Sequence, residues 1–391
     1  MKVAFFTDTF VPEVNGVANT LAKLSSYLER NSIDHAFFAP AYNYKNGMGE
    51  PDYLSQNKRV HRFSGIKVSV SPESCLAFPK AKMINDLCDA FDPDIVHVTT
   101  EFGIGYKGMK YATSRKLPLI MSHHTDYCKY LKYFDMSPLE TVAEKYMKWF
   151  YGFSHKTLVP SKHTLKQLED KGFKDLGIWT RGIDTNKFNA GHRSTRLREV
   201  LGIGKKFAFL YVGRLSPEKG LDVLMKSIAE INSLHPGKAA FVFTGDGPYA
   251  ETIRRSGFEN VIMTGFKRDR ELSEIYASCD CYAFPSGTET FGNTALEAIA
   301  SGLPVAGIDG GGVTDFLTHE YNALLATEGD QDSFTKNMIS IMESEILRRR
   351  LSENGVITAD TRDWDNIFNT LVEDYSTVIE KNAAYTRKRA S

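Results

Sequence analysis

The feature that most constrains this 391-residue chain is a repeated alternation of short apolar runs with longer amphipathic stretches. The runs have strand length and the stretches have helix length. Runs this apolar must be buried on both faces, and parallel strands covered by helices on both sides achieve that. In the first half Val3–Phe6, Ile95–Val98, Leu119–Ser122 and Thr157–Val159 read as strands, with helices expected at Val17–Glu29 and Pro138–Phe150. In the second half Phe207–Val212, Phe241–Thr244, Val261–Thr264, Cys281–Phe284, Pro304–Gly307 and Ala323–Leu325 read the same way. Helices fit between and after them at Gly220–Leu234, Asp269–Ser278, Thr294–Ser301, Gln331–Glu343 and Trp364–Glu380. No short repeat of the solenoid kind is present. What recurs is architecture: an α/β chain of two doubly wound, Rossmann-like domains.

The expected division is a first domain over 1–183, a second over 184–364, and a C-terminal helix over 365–391 that packs back on the first. Polar Thr185–Thr195 reads as the linker, and Tyr42–Arg62 as a long surface loop. Ligands bind doubly wound sheets beyond the carboxyl ends of their strands. Two such sheets facing each other are expected to make one deep cleft, lined by the loops after the strands.

Composition excludes several function classes. Residues 1–183 carry 24 Lys and Arg against 19 Asp and Glu, and residues 184–391 carry 24 against 29. That asymmetry is too mild for a nucleic-acid binder; the slightly basic first half fits an anionic membrane surface and fits chance asymmetry equally well. No apolar run approaches the roughly 18 residues needed to span a bilayer, and the N-terminus lacks the apolar core of a secretory signal. A cytoplasmic protein is expected. The five cysteines (Cys75, Cys88, Cys128, Cys279 and Cys281) are odd in number and form no CxxC pair, as suits a reducing compartment. Cys279 and Cys281 read as small buried residues at a strand start, not as metal ligands.

Three segments just after expected strands carry the chemistry. T-F-V-P-E-V-N-G, Thr9–Gly16, opens the first helix, and Asn15-Gly16 lets backbone approach a ligand where free N–H groups attract phosphate. V-G-R-L-S-P-E-K-G, Val212–Gly220, places Arg214 and Lys219 around a tight turn, a planar fork and a point charge suited to a diphosphate. P-S-G-T-E-T-F-G-N-T-A-L-E-A, Pro285–Ala298, sets Glu289 ahead of a helix and Glu297 within its first turns. The amides of Gly292–Ala295 between them point at an anion. With that spacing one helix start is expected to reach three parts of a nucleotide sugar.

These residues resemble the retaining glycosyltransferases of family 4, which have the GT-B fold. Pro285–Ala298 is similar to that family's E-x7-E motif, G-R-L-S-P-E-K-G to its diphosphate loop, and R-G-I-D-T-N-K-F, Arg181–Phe188, to its interdomain connection. The resemblance spans nearly the whole chain, from V-N-G to R-D-W-D. It implies that Glu289 bonds the donor sugar hydroxyls and Glu297 the ribose. Arg214 and Lys219 are implied to neutralise the leaving diphosphate, and Gly16 to let the first domain close on it. His124, in S-H-H-T-D, aligns with the active-site histidine, leaving His123 a structural role. Gly265, Phe266 and Lys267 would hold the base largely through backbone, while Gly292, Asn293 and Thr294 supply phosphate contacts. Asp126 is a candidate acceptor contact. Retention in this family is explained by front-face attack, so Glu289 is expected to position the sugar and not to attack it. No DxD-like pair occurs at a cleft loop, so neither a metal nor a cofactor is expected.

One segment departs from the family pattern. Gly310–Asp315, G-G-G-V-T-D, stands where many members carry G-G-x-P-E. The acceptor is the least legible part. Ser64–Lys82, ending L-A-F-P-K-A-K, and the C-terminal R-D-W-D-N-I-F resemble members that glycosylate lipids. Apolar residues beside Lys80 and Lys82 fit a reversible membrane contact, peripheral at the inner face. The expected reaction moves glucose or mannose from a UDP- or GDP-linked donor to a membrane lipid. A soluble sugar or small alcohol acceptor, a phosphorylase-like enzyme with lysine-bound pyridoxal phosphate, and a non-catalytic sugar-binding scaffold are the alternatives.

Overall fold

The computed structural model describes residues 1–13, 15–42, 59–68, 71–124 and 137–390. It divides into two units. One contains the described residues up to Thr180 and resumes at Asp365; the other is Arg181–Trp364.

The first unit has eight strands: β1 (Lys2–Phe6), β2 (Asp34–Ala41), β3 (Val60–Val68), β4 (Ser71–Ala77), β5 (Ile95–Val98), β6 (Leu119–Ser122), β7 (Lys156–Val159) and β8 (Leu176–Ile178). Their order is β4-β3-β2-β1-β5-β6-β7-β8, parallel except for the β3–β4 pair. Four strands, β2, β3, β4 and the three-residue β8, were not visible as apolar runs. β3 and β4 carry polar residues through their length, and β2 is broken in pattern by Pro40. The loop expected over Tyr42–Arg62 is thus shorter at its end, because Val60–Arg62 already pair with β2.

The second unit has β9 (Phe207–Val212), β10 (Ala239–Thr244), β11 (Val261–Gly265), β12 (Cys281–Phe284), β13 (Val305–Asp309) and β14 (Ala323–Thr327). All pairs are parallel, in the order β11-β10-β9-β12-β13-β14. Alternate residues of β9 enter opposite cores: Ala208, Leu210 and Val212 pack on one face, Phe209 and Tyr211 on the other. Burial on both faces is what makes this strand read as an unbroken apolar run. Chain order reverses between β9 and β12, so the crevice for a ligand opens beyond their carboxyl ends.

Thr185–Thr195 belongs to the second unit and is fastened there. Asn189 caps a short turn at Gly191, and Arg193 reaches Asp280 at 2.7 Å. Asp280 also takes Arg198 and the Ala208 amide, each at 2.9 Å. Its neighbours Cys279 and Cys281 are buried, and burial pushes the Cys279 thiol up to about 12.

The last helix, Trp364–Ala390, joins the first unit from Asp365 onward. Tyr27 meets Asn369 and Phe368, and Lys156 pairs with Asp374 at 2.6 Å. The Tyr375 hydroxyl lies 2.7 Å from His97 Nδ1 in the core.

Candidate active site

The second unit brings three loops together at its switch point. After β9 the chain runs Gly213–Ser216, turns through Pro217–Lys219 and enters helix Leu221–Leu234 at Gly220. Gly220 has φ 69°, and a Cβ there would strike the Pro285 carbonyl. Only glycine lets the post-β9 and post-β12 loops abut so closely. The contact sets Lys219 Nζ 2.6 Å from Glu289 Oε1, with both side chains largely buried. A cation and a carboxylate seventy residues apart thus meet where the fold places ligands. Neither the motif nor its spacing announced that pair. Arg214 sits on the same loop and is exposed.

The Glu289 loop is held from behind. Gly312 donates its amide to the Glu289 carbonyl at 2.7 Å, so the G-G-G-V-T-D variant still buttresses this loop. Thr314 and Arg362 close the turn through the carbonyls of Gly311 and Asp315. Helix Asn293–Ala300 then begins at Gly292, whose φ of 92° and close approach to Val313 leave no room for a side chain. No side chain of the described residues caps this helix. Its first-turn amides, with the positive end of the dipole, suit an anion.

Glu297, on that helix, accepts from the Tyr276 hydroxyl at 3.0 Å. The Thr294 carbonyl lies 3.2 Å from the same hydroxyl. Sequence reasoning missed the three phenols beneath these loops. Tyr211 donates to the Arg214 carbonyl at 2.9 Å and Tyr282 to the Val212 carbonyl at 3.1 Å. Burial and nearby carboxylates hold all three phenols well above their ordinary pKa, so they remain donors. In sequence they are indistinguishable from core aromatics, because their partners, backbone carbonyls and the Glu297 carboxylate, are met only through tertiary packing. Gly265 gives its carbonyl to the Gly245 amide at 3.0 Å. Phe266 is half exposed with the Arg268 guanidinium 5.3 Å over its ring, and Lys267 pairs with Glu271 at 3.1 Å.

The first unit, taken by itself, carries two strand-end segments with candidate residues. Asn15 caps helix Gly16–Arg30 by accepting from the amides of Val17 at 3.0 Å and Ala18 at 2.8 Å. The amides expected to be open at Gly16 are therefore partly spent on Asn15. Asn15 is itself fixed by Thr9 and by buried Glu13, which also accepts from Tyr42. After β6, His123 lies 3.0 Å from the Tyr151 hydroxyl, which bonds Glu101. His124 is buried against Trp179, ring centroids 5.6 Å apart. Asp126 lies outside the described residues.

Comparison with known proteins matches residues 14–187 to the model "Glycosyltransferase Family 4" and residues 194–356 to "Glycosyl transferases group 1". A GDP-mannose-dependent alpha-mannosyltransferase of Mycobacterium tuberculosis is 29% identical over 381 residues, covering 97% of each chain. An alpha-monoglucosyldiacylglycerol synthase of Streptococcus pneumoniae is 28% identical, covering 78% of this chain and 70% of its own. Among solved structures, Anabaena HepE in complex with UDP superposes with a TM-score of 0.75 at 20% identity, covering 96% of this chain and 100% of its own.

Proposed function

The chain belongs to glycosyltransferase family 4, and from that membership we propose that it moves a hexose from a nucleoside diphosphate sugar to a membrane lipid with retention. It is a nucleotide-sugar-dependent hexosyltransferase of the GT-B fold. One observation carries the proposal: Lys219 and Glu289 converge at 2.6 Å beside a helix start without a side-chain cap.

Cleaving the sugar–phosphate bond puts positive character on the anomeric carbon and negative charge on the departing diphosphate. Arg214, Lys219 and the amides of Asn293 and Thr294 stabilise that charge from fixed positions. Glu289 accepts from the sugar hydroxyls, and the ammonium of Lys219, 2.6 Å away, holds its carboxylate in place. The acceptor hydroxyl attacks on the leaving-group face, its proton passing to the phosphate oxygen as the new C–O bond forms. Glu297 accepts from the ribose, and the Gly265–Lys267 turn receives the base. His124, with Gly16, is assigned to the donor by resemblance. GDP-mannose is the first donor to test, after the full-length relatives, and UDP-glucose the second.

The lipid acceptor has support in the first unit. Phe78 is 64% exposed, Val142 63% and Trp149 45%, with Phe102 and Leu139 also exposed. Phe102 stacks on Tyr146 with centroids 6.0 Å apart, and Tyr146 contacts Trp149. The two helices concerned, Gly103–Arg115 and Glu140–Tyr151, also bear Lys107, Lys110, Lys145 and Lys148. Exposed aromatics among lysines suit an anionic bilayer interface. No helix of the described residues is long and apolar enough to cross a membrane.

The test is a transfer assay with GDP-mannose and UDP-glucose against diacylglycerol in anionic vesicles, and against free hexose and glycerol. The proposal expects a glycolipid whose anomeric configuration, read by NMR, matches the donor. An inverted product rejects the front-face step, and transfer confined to soluble acceptors rejects the lipid.

A further inference from the structure

Tyr276 stands on helix Asp269–Ser278, fully buried, its ring edge-on to Phe188 and tilted against Tyr282. Its hydroxyl lies 3.0 Å from Glu297 Oε2 and 3.2 Å from the Thr294 carbonyl. Burial and the charge of Glu297 keep the phenol protonated, so it has one proton for two acceptors. The carboxylate is the stronger acceptor. The neighbouring phenol of Tyr282 donates instead to the Val212 carbonyl at the end of β9, 3.1 Å away.

Packing does not account for this hydroxyl. Phenylalanine would fill the same space without the cost of desolvating a polar group. What the hydroxyl adds is a fixed carboxylate. A glutamate has three side-chain torsions, and each must be frozen before its second oxygen can meet a ligand at a defined angle. Holding Oε2 removes that freedom in advance.

We propose that Tyr276 is a positioning residue for ribose recognition, fixing Glu297 so that its carboxylate is already aimed when the nucleotide binds. The inference rests on the assignment of Glu297 to the ribose, and the two are tested separately. Isothermal titration of the full chain with GDP and with UDP first identifies the nucleotide it takes. The same nucleotide lacking both ribose hydroxyls then reads the contact. The unaltered protein should bind that dideoxy form about tenfold more weakly, the size of a lost bond to a charged group. Tyr276→Phe should shrink the preference to about threefold, with affinity for the dideoxy form unchanged. Glu297→Gln should shrink it as well. Tyr282→Phe, which cuts the bond to the Val212 carbonyl and leaves Glu297 untouched, should keep it.

The outcomes separate the two claims. Tyr276→Phe retaining the full preference while Glu297→Gln loses it overturns the positioning role and leaves Glu297 on the ribose. An equal loss of affinity for both forms in Tyr276→Phe marks a structural residue and overturns it too. A full preference in Glu297→Gln removes the ribose assignment itself.

Discussion

The two units share a winding yet treat their helix starts in opposite ways. The first reads Asn15-Gly16, the second Gly292-Asn293. In the first the side chain precedes the glycine, sits at the cap, and takes the amides of Val17 and Ala18 for itself. In the second the glycine is the cap and no side chain of the described residues takes its place. Buried polar groups follow the same division. Asp8 accepts from Ile104 and Thr100, Glu13 from Asn15 and Tyr42, and His97 is closed between Tyr375 and Ser122. In the second unit Lys219, Glu289 and Arg214 stand at strand ends. A doubly wound sheet can spend its strand-end polar groups on itself or offer them to a ligand. Here the first unit does the former, while in the second Lys219 and Glu289 meet each other beside a helix start whose cap is a glycine.

The largest expected consequence is acid sensitivity confined to the first unit. The buried histidines of the described residues, His35, His97, His123 and His124, all lie there. Burial pushes the His97 imidazole down to about 3, while an unfolded histidine takes its proton near 6.5. As pH falls through that window the unfolded chain binds the proton first, so the folded unit loses stability, on the order of several kcal/mol by pH 3. His35 and His61 are lowered by burial and act in the same direction. Asp8, held above the usual carboxylate range by burial, opposes them in part. Amide exchange at pH 7 and pH 5 should show β1–β8 losing protection while β9–β14 keep theirs. Equal loss in both sheets would erase the contrast.

Next in size is the binding unit itself. Glu289→Ala should lower turnover about 100-fold, the scale of one lost transition-state contact. It also removes the carboxylate paired with Lys219, so affinity for the bare nucleoside diphosphate should hold or rise. Turnover near that of the unaltered protein removes Glu289 from the mechanism. Arg214→Ala is the smaller change: about tenfold in diphosphate affinity, the worth of one charge-assisted hydrogen bond. Titration that finds the affinity unchanged takes Arg214 out of the site.

The contrast also explains what could be read from the sequence. β9 and β12 lie between two cores, so every residue is apolar and their bounds match the apolar runs residue for residue. β3 and β4 lie at an edge and carry polar residues, so period and hydropathy say nothing. Glu289, Glu297 and Lys219 stood out as candidates because a diphosphate sugar calls for those residue types beside a helix start, and their roles remain part of the proposal. Their mutual geometry was not. The 2.6 Å meeting of Lys219 with Glu289 depends on Gly220 abutting Pro285, a tertiary contact without local signature. The hold of Tyr276 on Glu297 is hidden likewise, since a buried tyrosine's ring and its hydroxyl answer to different neighbours.

Asn15→Ala gives the smallest effect and the sharpest test of the comparison. Removing a capping side chain that serves two amides should cost about 1 kcal/mol of stability in the first unit. Diphosphate affinity should stay within about twofold, because amides already spent on a cap have nothing further to give up. The alternative result is informative in the other direction. Were the variant to bind the nucleotide about tenfold more tightly, the freed amides of Val17 and Ala18 would themselves be meeting phosphate. The first helix start would then be an anion site masked by its own asparagine. The two units would differ only in the order of one Asn and one Gly.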